Sequence, residues 1–233
     1  SDLSYIYYDS SLYRPFDPEI RSNFKTWQFT NKVWTNLSWD ARDFILNPTE
    51  GYLFTQGVTF TGGIFGGGKD YIKTTSRAQG FVKLYEKQII ENWGIKLILA
   101  GNTNLNMVLP QFHSNNGSWQ WGLNIDEEQD LLYIDGMTTA KGWGEDMSLL
   151  RGEALWDNWM ELRMPISQQY LWLDLFLSGT NLYTEREDVL STQLQDFNFS
   201  VGGTLRLTIP GLPIGFFVAK RFKFDETGAV DWN

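Results

Sequence analysis

Side chains able to carry out chemistry are sparse in this sequence of 233 residues. His113 is the single histidine and cysteine is absent, which excludes thiolate and multi-histidine metal centres and any disulfide framework. An acid–base pair would have to join His113 to Asp126 or Asp130 in the same polar stretch, and no serine nucleophile motif accompanies them. Asp126, Glu127, Glu128, Asp130 and Asp135 gather carboxylates, but their spacing does not follow a calcium-loop pattern. The run Gly62-Gly63-Ile64-Phe65-Gly66-Gly67-Gly68 lacks the Lys-Ser/Thr pair and following helix of a phosphate loop, and reads as a flexible hairpin connection. These patterns point away from an enzyme and imply no cofactor and no metal.

Composition narrows the class further. The chain carries 19 basic and 28 acidic residues, a net charge of −9. Nucleic-acid binding needs a basic face, and none is visible. Aromatics reach 16%, with 11 Trp, 10 Tyr and 16 Phe. Trp and Tyr favour the boundary between bilayer and water. Mean hydropathy is only −0.31, and no run approaches the roughly 20 apolar residues of a spanning helix. A barrel strand alternates lipid-facing with lumen-facing residues, so its mean hydropathy stays low.

The elements that must position these residues repeat with period two. From Asn23 to Asp40, Trp27, Phe29, Val33, Leu37 and Trp39 alternate with Thr26, Gln28, Thr30, Lys32, Asn36 and Ser38. Gly51–Phe65, Tyr71–Tyr85 and Trp93–Met107 continue the alternation. In the second half, Met160, Leu162 and Met164 oppose Asp157, Glu161 and Arg163. Leu171, Leu173, Leu175 and Leu177 oppose Asp174 and Ser178. Phe197, Phe199, Val201, Leu205, Leu207 and Ile209 oppose Asn198, Ser200, Thr204 and Arg206, and Ile214–Phe224 is the last strand. About eight strands result, each near the roughly 9–11 residues that a tilted membrane strand needs.

Connections alternate in length. Asn47–Gly51, the stretch around Pro165 and Pro210–Pro213 read as tight turns, whereas 108–155 and 180–192 are long and polar. Short turns on one side and long loops on the other is the outer-membrane arrangement. The expected division is a loop at 1–22, four strands in 23–107, a long extracellular loop at 108–155 and four strands in 156–224. A soluble sandwich also alternates, but would not need so many Trp and Tyr or a polar enclosed face. The fold expected is all-β, an antiparallel transmembrane β-barrel.

Several segments resemble the BamA family of outer-membrane assembly factors. Trp39-Asp40-Ala41-Arg42-Asp43 with Asn47-Pro48-Thr49-Glu50-Gly51-Tyr52 resembles the family's D-x-R-D…P-x-x-G turn. Leu150-Arg151-Gly152-Glu153 resembles the (V/I)-R-G-(F/Y) motif that folds back into the lumen, with Glu153 in place of an aromatic. Trp159–Pro165 resembles the following strand, and Gly202–Ile214 the penultimate G-x-G-(L/I)-R…P-x-x-P-(L/I) region. Four motifs in the family's order cover residues 39–222.

The resemblance implies a bacterial outer-membrane location and a role in folding and inserting β-barrel proteins, without a chemical step. It implies partners of three kinds: the lipid bilayer, unfolded outer-membrane clients and accessory assembly proteins. A two-partner secretion transporter or a passive channel would use the same barrel. Family barrels have about sixteen strands, so this chain would supply roughly the eighth to the fifteenth. The open edges of such a half would have to be met in lipid, by closure into a small barrel or by a homodimer through strand edges. Arg151, in a loop re-entering the lumen, would need an acidic partner. Glu161 is the expected one, because strand parity turns it inward and the family has an acid there. The family's next strand supplies a second acid. Here Leu177 falls at that position, and Asp174 would substitute for it. Arg151, Gly152, Glu161 and Asp174 are therefore the candidate site residues.

Overall fold

The computed structural model describes residues 2–5, 27–90, 93–115, 117–125, 127–147, 149–167, 170–209 and 212–232. Short strands β1 (Asp2–Tyr5) and β2 (Trp27–Thr30) pair with each other. Then follow β3 (Lys32–Asp40), β4 (Gly51–Thr61), β5 (Tyr71–Ile90), β6 (Trp93–Leu109), β7 (Gln111–Asn115), β8 (Ser118–Gly122), β9 (Ala154–Ser167), β10 (Leu171–Tyr183), β11 (Asn198–Ile209), β12 (Leu212–Phe224) and β13 (Val230–Trp232). Nine of these form one antiparallel sheet in the order β13-β12-β11-β10-β9-β6-β5-β4-β3. All eight strands read from the alternation are present, and β13 adds a ninth. Asp2–Tyr5 is a strand where a loop was expected, and residues 6–22 lie outside the described residues.

Period two separates two faces. On one, Val82, Leu175, Val201, Leu205, Phe216 and Val218 are exposed. An apolar surface this continuous suits lipid and not water. On the other, Asp157, Glu161, Arg163, Asp174, Ser178, Thr180, Asn198 and Ser200 are buried. Polar inside and apolar outside is the inverse of a soluble core. Within the sheet, β3 pairs on one side alone and every one of its residues is exposed.

The connections sort by end. Ile90 to Trp93, Ser167 to Leu171 and Ile209 to Leu212 are short links and share one end of the sheet with the connection from Asp40 to Gly51. Thr61 to Tyr71, Leu109 to Ala154, Tyr183 to Asn198 and Phe224 to Val230 lie at the other end, and the two longest connections, Leu109 to Ala154 and Tyr183 to Asn198, are both there. The region between β6 and β9 is not simply a loop, since it opens with the β7–β8 hairpin. The glycine-rich link after β4 is built and not loose. It turns through a 3₁₀ segment, Gly63–Phe65, with the Gly63 amide donating to the Asp70 carboxylate at 2.5 Å.

The sheet is curled. Flat, β4 and β11 would stand five strand spacings apart, about 24 Å. Yet Arg206 of β11 donates to Asn47, in the turn before β4, at 3.2 Å. That turn is fixed by Asp43, whose carboxylate accepts from the Thr49 hydroxyl (2.6 Å) and from the amides of Phe44, Thr49 and Glu50. Burial pushes the Asp43 carboxyl up in pKa, but these hydrogen bonds outweigh it and hold it at about 2.

Candidate functional site: a loop seated in the lumen

Period two alone aims Asp157, Glu161 and Arg163 of β9 and Asp174 and Phe176 of β10 at one enclosed face. Register places Asp174 beside Arg163 and Phe176 beside Glu161. Buried charges need partners, and the segment between β8 and β9 supplies one of them. Lys141 reaches in, its Nζ 3.0 Å from one Glu161 oxygen and 4.5 Å from the Phe176 ring centroid. The other Glu161 oxygen accepts from Arg163 Nε (2.9 Å) and Nη2 (2.7 Å). Glu161 thereby meets two cations, one from its own strand and one from the loop.

Local chemistry explains how Lys141 is delivered. Asp135 accepts from the amides of Met137 (2.9 Å), Thr138 (2.8 Å) and Thr139 (2.9 Å) and from both threonine hydroxyls, a tight Asx-type turn. Gly142 returns its amide to the Gly136 carbonyl at 2.9 Å. Both glycines have positive φ, 71° and 90°. Ala140, between them, is held at φ 48°, a left-handed conformation costing roughly 1–2 kcal/mol for a residue with a Cβ. Its methyl is buried with Ile134, Trp143 and Leu155, and its amide faces Asp157 Oδ1 at 3.4 Å. Trp143 completes the seat: Nε1 donates to the Phe199 carbonyl of β11 at 3.0 Å, and Arg221 and Lys223 of β12 lie over the ring at 5.1 and 5.4 Å. One loop therefore contacts β9, β10, β11 and β12 from inside.

The candidate residues divide. Glu161 is in the seat, but with Lys141 and Arg163, not with Arg151 as expected. Arg151 is half-buried, donates to the Leu150 carbonyl at 3.0 Å and lies 4.9 Å from the Tyr133 ring centroid. Gly152 is buried and exchanges backbone hydrogen bonds with Leu132 at 2.9 and 3.0 Å. A Cβ there would stand 2.2 Å from the Tyr183 carbonyl oxygen, so this position needs glycine for close approach. Asp174 is lumenal and buried, but its partner is Arg206 of β11 at 3.0 Å and not the loop. Glu153 has a role of its own: it pairs with Arg186, beyond β10, at 2.7 Å. Lys141 and Arg206 were missed as partners. The signal was available in part, because the enclosed acids of β9 and β10 demand cations and Arg206 shares their parity.

Asp130, offered above as a partner for His113, instead binds Lys69 (2.8 Å) and the Tyr71 hydroxyl (2.9 Å). Asp126 lies outside the described residues.

Comparison with known proteins sharpens the assignment. The family model described as Omp85 superfamily domain matches residues 2–230. A protein of Treponema pallidum (strain Nichols), named "Putative outer membrane protein assembly factor", is 27% identical over 178 residues, 76% of this chain and 21% of its own length. The chain thus spans about a fifth of that relative. The crystal structure of BamA from Haemophilus ducreyi lacking POTRA domains 1-3 covers 96% of this chain with a TM-score of 0.61 at 16% identity, over 44% of its own length. At that identity the likeness speaks for the fold: the sheet is part of a BamA-like barrel wall.

Proposed function

This chain belongs to the Omp85 superfamily and lies in the bacterial outer membrane, and from that premise we propose that it is the wall-and-loop portion of a barrel that folds and inserts outer-membrane proteins. The work involves no chemical step. The partners are the bilayer, unfolded barrel clients and accessory assembly proteins held by the longer protein. The observation that carries the reading is the loop seated against four strands by Lys141, Glu161 and Trp143. A loop held this way stiffens one side of the wall, and strain is then free to concentrate elsewhere in the barrel. Arg151 and Gly152 shape the base of the loop, Asp174 ties β10 to β11, and Glu161 is the wall's receptor for the loop.

The test uses the full-length protein in phosphatidylcholine vesicles, with a urea-unfolded outer-membrane barrel as client. Client folding is expected to run about tenfold faster than in empty vesicles, equivalent to about 1.4 kcal/mol of barrier. Glu161→Gln should remove much of that gain while the protein stays membrane-inserted. Folding no faster than in empty vesicles, with steady ion conductance instead, would assign the barrel to the passive-channel class.

A further inference from the structure

We propose that the outer wall of this barrel carries a seat for one acyl chain of an outer-leaflet lipid. A groove of about 410 Å³ opens on the lipid face across β6, β9, β10 and β11. Part of its floor is bare backbone. Gly101 faces lipid by parity with Leu99 and Leu105, and a Cβ built on it would meet nothing within 4 Å. Register sets Met160 beside Gly101, Leu177 beside Met160 and Phe199 beside Gly179. Met160 and Leu177 stand in the same row as Gly101 and bound the groove beside it. The Phe199 ring stands over Gly179, and Leu194, from the connection after β10, closes the outer side.

The occupant follows from the groove's chemistry and depth. The face is continuous with exposed Leu175, Val201 and Val218, so its solvent is hydrocarbon. Asn158, at the edge, turns its side-chain amide toward the Gly179 carbonyl at 3.4 Å, so that donor is directed at the wall of the groove. Gly179 lies eight residues along β10 from Leu171, about 20 Å up a strand tilted about 40°. That is the upper part of an apolar band about 25 Å tall, the depth of outer-leaflet chains. A flexible polymethylene chain matches an apolar groove gripped from two sides.

The experiment places the full-length protein in phosphatidylethanolamine–phosphatidylglycerol vesicles containing a trace of phospholipid with a diazirine on its acyl chain. After irradiation, adducts are mapped by mass spectrometry. Peptides bearing Met160 and Phe199 are expected to be labelled severalfold more than those bearing Leu205 and Val218, although Val218 is the most exposed of the four. Gly101→Leu should fill the groove and abolish the excess, and Val218→Leu should leave it intact. Labelling that simply follows exposure in the unaltered protein overturns the proposal, as does an excess that survives Gly101→Leu. Should the leucine variant not insert, the unaltered protein's labelling pattern decides alone.

Discussion

At the scale of single residues, the lumenal seat turns on which cation meets Glu161. Lys141 and Arg163 each hold one of its oxygens, and removing a cation leaves a buried carboxylate short of a partner, a loss of about 1–3 kcal/mol. Arg151 makes other contacts, among them a hydrogen bond to the Leu150 carbonyl and a guanidinium over the Tyr133 ring, and neither of these reaches Glu161. Lys141→Met is therefore expected to speed proteolytic nicking of the 123–153 region in membrane-inserted protein by about tenfold or more, and by more than Arg151→Met, which leaves both cations on Glu161 in place. Equal effects, or a larger one at Arg151, would return the arginine to the centre of the seat. The motif Leu150-Arg151-Gly152-Glu153 was readable in the sequence and its glycine is sterically required. The choice of lysine over arginine was not readable, because it depends on how far the Gly136–Gly144 turn carries Lys141 toward the wall.

At the scale of elements, the loop depends on its Asp135 turn. Burial pushes the Asp135 carboxyl up, but hydrogen bonds from the Thr138 hydroxyl and the amides of Thr139, Met137 and Thr138 outweigh it and hold the pKa at about 2. A carboxylate depressed in the folded state contributes stability that is complete above its ordinary value of 3.8 and is lost as pH falls toward about 2. Protection of the Met137–Thr139 amides in hydrogen exchange, corrected for intrinsic rates, should therefore collapse between about pH 4 and pH 2. Asp135→Asn, which keeps an acceptor but does not titrate, should show no such step. A step of equal size in that variant would assign the pH response to another group. The strands themselves were read from alternation, since a one-residue slip would invert both faces. The bulge between Lys83 and Tyr85 was not. It turns Tyr85 to the outer face and leaves Lys83 and Lys96 both on Glu86, at 3.0 Å each.

At the scale of the whole molecule, curvature is the property that matters. Arg206 links Asp174 of β10 to Asn47 of the turn before β4, so a chain of polar contacts crosses the enclosed space from one side of the sheet to the other. The chain holds no cysteine, which makes the prediction direct: Asn47→Cys with Arg206→Cys should be joined in high yield by a short bis-methanethiosulfonate linker in membrane-inserted protein. Control pairs on the lipid face at equal sequence separation should not be joined. Failure of the lumenal pair to link would mean that the sheet is flatter in the bilayer than the contact requires.

The strands, their two faces, the long connection before Ala154 and, through four ordered motifs, the family were all legible in the order of residues. Those features are local or periodic: a side chain's face follows from counting by two, and a turn from its glycine, proline or aspartate. Tertiary structure decided the rest. Which lumenal acid meets which cation, whether β11 reaches the turn before β4, and where the lipid face opens into a groove all depend on the curl of the sheet and the path of the β8–β9 connection. Parity sets a residue's face but not its distance from a residue on another element, and an ion pair exists only at contact distance.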